Sequence, residues 1–197
     1  MSKQPSKSFT EVLILSLTEI FGEEETEAIK KRLDLVSGQG KKYGFLHDYD
    51  LMQQLGDLLA KKYDALTAKG LLVRLGRASL TYIRRFYTDI SKLGDIDNRL
   101  KPIDRRFLFS LNTLGARMED AFGMEISVNK VQTREFRWSY DAAERNDRDH
   151  IFIPYFYFGL LEEFCYWLDA RKEYQICYQE TEGVDDSAIS IVIKDLE

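Results

Sequence analysis

The sequence predicts an α+β fold, with N-terminal helices packed on a small antiparallel sheet formed by C-terminal strands. Up to Gly123 apolar residues recur at steps of three and four; beyond it they alternate with polar ones. These are the periods of a helix with one buried stripe and of a strand covered on one face. The two patterns are segregated, with a single helical block between two strand pairs, which favours α+β over an alternating parallel sheet. Only Pro5, Pro102 and Pro154 interrupt the 197 residues, so long helices are permitted.

Ser8 can cap a first helix, with Glu11 completing a capping box, and Leu13, Leu17, Ile20 and Phe21 follow at helical spacing. Gly22 ends that helix, and a more charged one is predicted from Glu23 to Leu35. Ser37-Gly38-Gln39-Gly40-Lys41-Lys42 is the clearest break. It lacks the order of glycines, lysine and hydroxyl residue that a phosphate-cradling loop needs, and reads as a polar linker. Asp48 opens a helix carrying Leu51, Leu55, Leu58, Leu59 and Tyr63. Another is predicted over Gly70 to Tyr87, and a third from Asp104, with Phe107, Leu111, Leu114, Met118 and Phe122 along one side. Gly123 is placed to stop it.

Met124, Ile126 and Val128, then Phe136, Trp138 and Tyr140, mark two strands. Asp141 to Asp149 is a polar loop, and Pro154 fits the first turn of a helix reaching about Asp169. Glu173 to Glu180 and Ser187 to Lys194 form a closing hairpin around Glu182-Gly183-Val184-Asp185-Asp186. The domain reading is an N-terminal helical extension over 1–65 and an α+β domain over 66–197, together one compact unit.

A hydrophobic share of 44% supplies a large core, and a net charge of −5 gives no general attraction to nucleic acid. No run approaches the roughly 20 apolar residues of a membrane span. The opening Met1 to Lys7 is polar and unlike a secretory leader, so a cytoplasmic location is expected, with Cys165 and Cys177 as reduced thiols.

Three segments carry a family resemblance. They are Leu71-Leu72-Val73-Arg74-Leu75-Gly76-Arg77, Phe107-Leu108-Phe109-Ser110-Leu111-Asn112-Thr113-Leu114, and Phe158-Gly159-Leu160-Leu161-Glu162-Glu163-Phe164 followed by two strands. In this order the chain from about 70 to 194 resembles the superfamily shared by 4-vinyl-reductase domains, haem-nitric-oxide-binding domains and vesicle-tethering TRAPP subunits. The resemblance implies a small-molecule-binding domain of the bacterial sensor type.

The departures are specific. Haem-binding relatives carry an axial histidine where this chain has Gly115, and a Tyr-x-Ser-x-Arg clamp where it reads Trp138-Ser139-Tyr140-Asp141-Ala142-Ala143-Glu144-Arg145. Cysteines expected near the last strands are reduced to Cys177, since Ser187 to Val192 has none. The expectation is therefore no cofactor, with haem disfavoured and zinc not indicated.

The densest chemical feature is an aromatic helix carrying Phe152, Tyr155, Phe156, Tyr157, Phe158, Phe164, Tyr166 and Trp167. It can be core on one face and a dimer interface on the other, or it can line a ligand pocket. The candidate ligand-binding residues are Trp138, Tyr140, Phe156, Leu160, Phe164 and Trp167; no catalytic or metal residues are assigned. His47 and His150 read as loop histidines, and the doublets Arg84-Arg85 and Arg105-Arg106 as solvated or paired with acids such as Asp89 and Asp104. The leading expectation is a non-haem domain that binds an apolar or aromatic ligand, as a homodimer. The alternatives are a protein-interaction scaffold like the tethering subunits and an enzyme of tetrapyrrole metabolism. No nucleotide-binding fingerprint or motif-linked nucleophile supports the enzyme.

Overall fold

The computed structural model describes residues 9–33, 35, 48–141, 152–180 and 186–195. Helix α1 (Phe9–Arg32) breaks at Gly22, whose φ of 79° and ψ of 173° belong to a region only glycine enters readily. The break separates an apolar half, with Val12, Leu13 and Leu17 buried, from a charged one, as the spacing predicts. Helix α2 (Asp48–Tyr63) buries Leu51, Leu55 and Leu59. Only Asp64 separates it from α3 (Ala65–Phe86), which starts earlier than the Gly70 predicted. The reason is local: the Asp64 carboxylate accepts the Thr67 backbone N–H at 2.9 Å and its hydroxyl at 2.8 Å, capping the helix.

Between α3 and α6 (Ile103–Phe122) lie short turns that the periodicity does not reveal. These are α4 (Thr88–Ser91), a 3₁₀ turn at Lys92–Gly94, and α5 (Ile96–Arg99). Buried Asn98 anchors them, its amide donating to the Leu93 carbonyl at 2.8 Å and to Ser110 Oγ at 3.2 Å. Gly123, in the left-handed region at φ 65°, stops α6 as expected.

Strands β1 (Ile126–Gln132), β2 (Glu135–Asp141), β3 (Lys172–Glu180) and β4 (Asp186–Asp195) form one antiparallel sheet in the order β1-β2-β4-β3. The register sets Trp138 opposite Ile189 and Phe136 opposite Ile191, so their side chains share one buried face. The architecture is the predicted α+β one.

Helix α7 (Ile153–Leu168) runs through the middle. Its backbone touches that of α3, because a Cβ at Gly76 would lie 2.1 Å from the Phe156 carbonyl oxygen, and one at Gly159 would lie 1.9 Å from that of Val73. On its other side Tyr157 packs on Trp138 and Tyr140 of the sheet. A helix this apolar needs cover on both sides. The chain supplies cover on both.

Arg84, Arg85 and Arg105 are exposed as expected, and Arg106 does pair with an acid, though in the interior. Arg106 is buried, with Asp169 as its partner: Nη2 donates to Oδ2 at 2.6 Å and both side chains are nearly inaccessible. Arg171 donates to the same carboxylate at 3.0 Å, and Tyr174 Oη donates to the Asp169 carbonyl at 2.6 Å. Asp104 is taken by Lys130, and Asp89 by Arg117. The sequence could not see this pairing, because Arg106 and Asp169 meet only through the tertiary fold. No helix among the described residues is long and apolar enough to cross a membrane.

Candidate functional site

The α7–sheet seam holds Trp138, Tyr140 and Phe156 of the candidate residues. On the strand side, Trp138 and Tyr140 are adjacent inward positions of β2. Tyr157 reaches them from α7, its ring 5.7 Å from Trp138 and 5.3 Å from Tyr140. Phe122 of α6 lies 5.7 Å from Tyr157 and 6.0 Å from Phe156, and Phe9 of α1 closes the group at 5.0 Å from Phe122. One connected aromatic network thus spans α1, α6, α7 and β2.

The six predicted residues do not form a single wall. Trp138, Tyr140 and Phe156 belong to this network. Phe164 and Trp167 pair with each other at 5.7 Å farther along α7, where Trp167 meets Gly94 and stacks under the Arg84 guanidinium at 4.3 Å. Leu160 lies at the α3 crossing, its backbone N 2.7 Å from a Cβ built on Gly76. Trp138, Phe156, Leu160 and Phe164 have no accessible surface, so no water-sized void borders them. The core is filled there.

Sequence reasoning missed the chemical centre of the seam. Tyr157 is fully buried and its hydroxyl has no hydrogen-bond partner among the described residues; the same holds for Trp138 Nε1. Burial pushes the Tyr157 phenol up, and Tyr140 beside it acts in the same direction, so Tyr157 stays a neutral O–H donor. A buried donor left without an acceptor costs about 1–3 kcal/mol. The only signal in the sequence was a tyrosine where the apolar stripe would accept phenylalanine.

Other candidates are quickly placed. His47 and His150 lie outside the described residues. Cys165 is buried and Cys177 exposed, and burial pushes the Cys165 thiol up, away from a reactive thiolate. No group of three or more histidine, cysteine or carboxylate residues among the described ones could hold a metal.

No protein-family model matches the chain, and no curated protein matches it. Solved structures do, over nearly the whole length. This is the H-NOX fold. A chain from a study of the molecular mechanism of H-NOX activation superposes with a TM-score of 0.64 at 12% identity, covering 98% of this chain and 97% of that one. The S. oneidensis H-NOX protein in its Fe(II)NO state gives 0.63 at 11%, covering 95% and 98%. A chain from work on heme distortion in the H-NOX family gives 0.62 at 11%, covering 96% and 94%. Of the folds named by the resemblance in the sequence, these matches agree with that of the haem-nitric-oxide-binding domains, and they cover the N-terminal helices as well.

They also correct the cofactor expectation. The absence of haem is expected from local departures at Gly115 and at the Trp138 to Arg145 segment, whereas the whole chain takes a fold whose solved examples include a study of heme distortion and an Fe(II)NO state. An H-NOX fold makes haem a cofactor to be tested, since an axial ligand need not come from one fixed residue type or place. The local fit at α6 is poor all the same. Gly115 offers no ligand, and a Cβ there would lie 3.3 Å from Ile126 and 3.6 Å from Val128. That position does not fit axial ligation.

Proposed function

We propose that the chain is a small-molecule-responsive signalling domain whose ligand is a planar aromatic or apolar molecule, tetrapyrroles included. The observation that carries this reading is the pair of buried donors without acceptors among the described residues, Tyr157 Oη and Trp138 Nε1, in a seam otherwise built for packing. Phenylalanine would fill the same space without the unmet donor, so the hydroxyl is there to meet an acceptor on something else. Trp138, Tyr140 and Phe156 would supply the aromatic walls, and a ligand oxygen would accept from Tyr157. Phe164, Leu160 and Trp167, which pack elsewhere along α7, would take no part in that contact. Because the seam is closed, entry requires α7 and β2 to part, which is how binding would reach the surface as a signal.

Native mass spectrometry on freshly purified chain, with absorbance in the Soret region after expression with haem precursors, tests the proposal. A retained species that Tyr157→Phe weakens tenfold or more is the expected result. No retained species and no Soret band would remove it. The filled core favours a second reading, an interaction or dimerisation scaffold. It predicts no ligand and a dimer burying about 1,200 Å² or more, which light scattering would detect as doubled mass.

A further inference from the structure

The segment between α3 and α6 carries apolar side chains that packing does not explain. Ile96, in the single turn of α5, is 71% exposed, and Leu100 just after it is 78% exposed. Their spacing of four places both on one side of that turn. Phe109 on α6 is 51% exposed, and the ammonium of Lys101 sits 4.1 Å from its ring, tying it to the same edge. Asn98 holds the segment firmly against α6, so this edge is a built surface and not a loose end.

Its charge differs from that of the molecule. Lys92, Arg99, Lys101 and Arg105 are exposed here, against exposed Asp95 and Asp97. Asp89, Asp104 and Asp169, further acids of this region, are engaged by Arg117, by Lys130 and by Arg106 with Arg171. A chain of net charge −5 thus presents a locally positive edge with apolar tips.

We propose that this edge docks on a bilayer surface bearing anionic headgroups. Ile96 and Leu100 would enter the boundary between headgroup and acyl chain, with the four cations at headgroup level. Acidic motifs are held by arginine clusters; this edge instead projects two apolar tips more than seven-tenths exposed, which suits a deformable lipid interface. Negative charge elsewhere on the chain is screened beyond roughly 8–10 Å at physiological salt, so it does not cancel the local attraction.

Flotation of the full chain tests this, with vesicles of phosphatidylcholine containing roughly 30% phosphatidylglycerol against phosphatidylcholine alone. The chain should float with the anionic vesicles and be released by salt. Ile96→Asp with Leu100→Asp should abolish binding. Arg99→Gln with Lys101→Gln should weaken it by about fivefold for each cation removed. All four residues are exposed, so circular dichroism and Tm should stay unchanged; if the aspartates disturb folding, Ile96→Ser with Leu100→Ser replaces them. Absence of flotation with anionic vesicles at low salt overturns the proposal. So does flotation indifferent to these substitutions, or capture of a glutamate-rich peptide by the same residues without any vesicle binding.

Discussion

Gly76 and Gly159 illustrate how single residues set the geometry on which the site depends. At both positions a Cβ would run into a backbone carbonyl that no side-chain rotation can clear. Gly76→Ala or Gly159→Ala should therefore destabilise the chain by about 2–4 kcal/mol in urea titrations, since α3 and α7 must separate. Gly70, also in α3, meets nothing within 4 Å, and Gly70→Ala should instead stabilise by about 0.5–1 kcal/mol. Tyr157→Phe makes a sharper test. Loss of a tyrosine hydroxyl normally removes a hydrogen bond; here no partner exists among the described residues, so stability should hold or rise by up to about 1 kcal/mol. A clear loss of Tm would show that the hydroxyl is satisfied after all. With Ellman's reagent the native chain should show one fast thiol, Cys177, and a second, Cys165, only in denaturant.

At the scale of elements, α1 is two helices joined by one glycine. Gly22→Ala meets no atom within 4 Å, so its cost should come from the backbone alone, about 1–3 kcal/mol by thermal unfolding. The glycine stops at residues 22 and 123, the stripe of α6 and the alternation of β2 were all legible in the sequence, because each is a local period or a local backbone preference. The short turns from Thr88 to Arg99 were not, since no period develops over four residues and their anchor, Asn98 on Ser110, is tertiary. The start of α3 is written locally, in the Asp64 cap on Thr67, a signal shorter than the apolar stripe that follows it. For the site, the aromatic density of α7 was legible. That its two faces meet different neighbours, splitting the six candidate residues, was not.

For the molecule as a whole, the Arg106–Asp169 pair joins the start of α6 to the turn between α7 and β3. Arg171, then Arg106, holds the Asp169 carboxyl well below the usual carboxylate range, outweighing the burial that would raise it. A depressed native pKa adds stability above the unfolded value, about 4, and that stability is lost as pH falls below it toward the native value. Urea midpoints should fall more steeply below about pH 4 for the native chain than for Asp169→Asn. Arg106→Ala should cost about 3–5 kcal/mol at neutral pH, because it leaves a buried carboxylate with one partner fewer.

The sequence by itself determined the fold class, the order of helices and strands and the apolar character of α7, since these rest on periodicity and on where glycine and proline stand. The tertiary structure decided which surfaces meet: α3 against α7 through two glycines, Arg106 with Asp169, and Tyr157 with Trp138 and Tyr140. It also decided that an H-NOX fold could form at 10–13% identity to solved examples. Burial patterns survive the replacement of nearly every side chain as long as the apolar faces stay in register. The chemistry of a site depends on single atoms, such as the hydroxyl of Tyr157 or the missing side chain of Gly115, and these acquire meaning only once the fold places them.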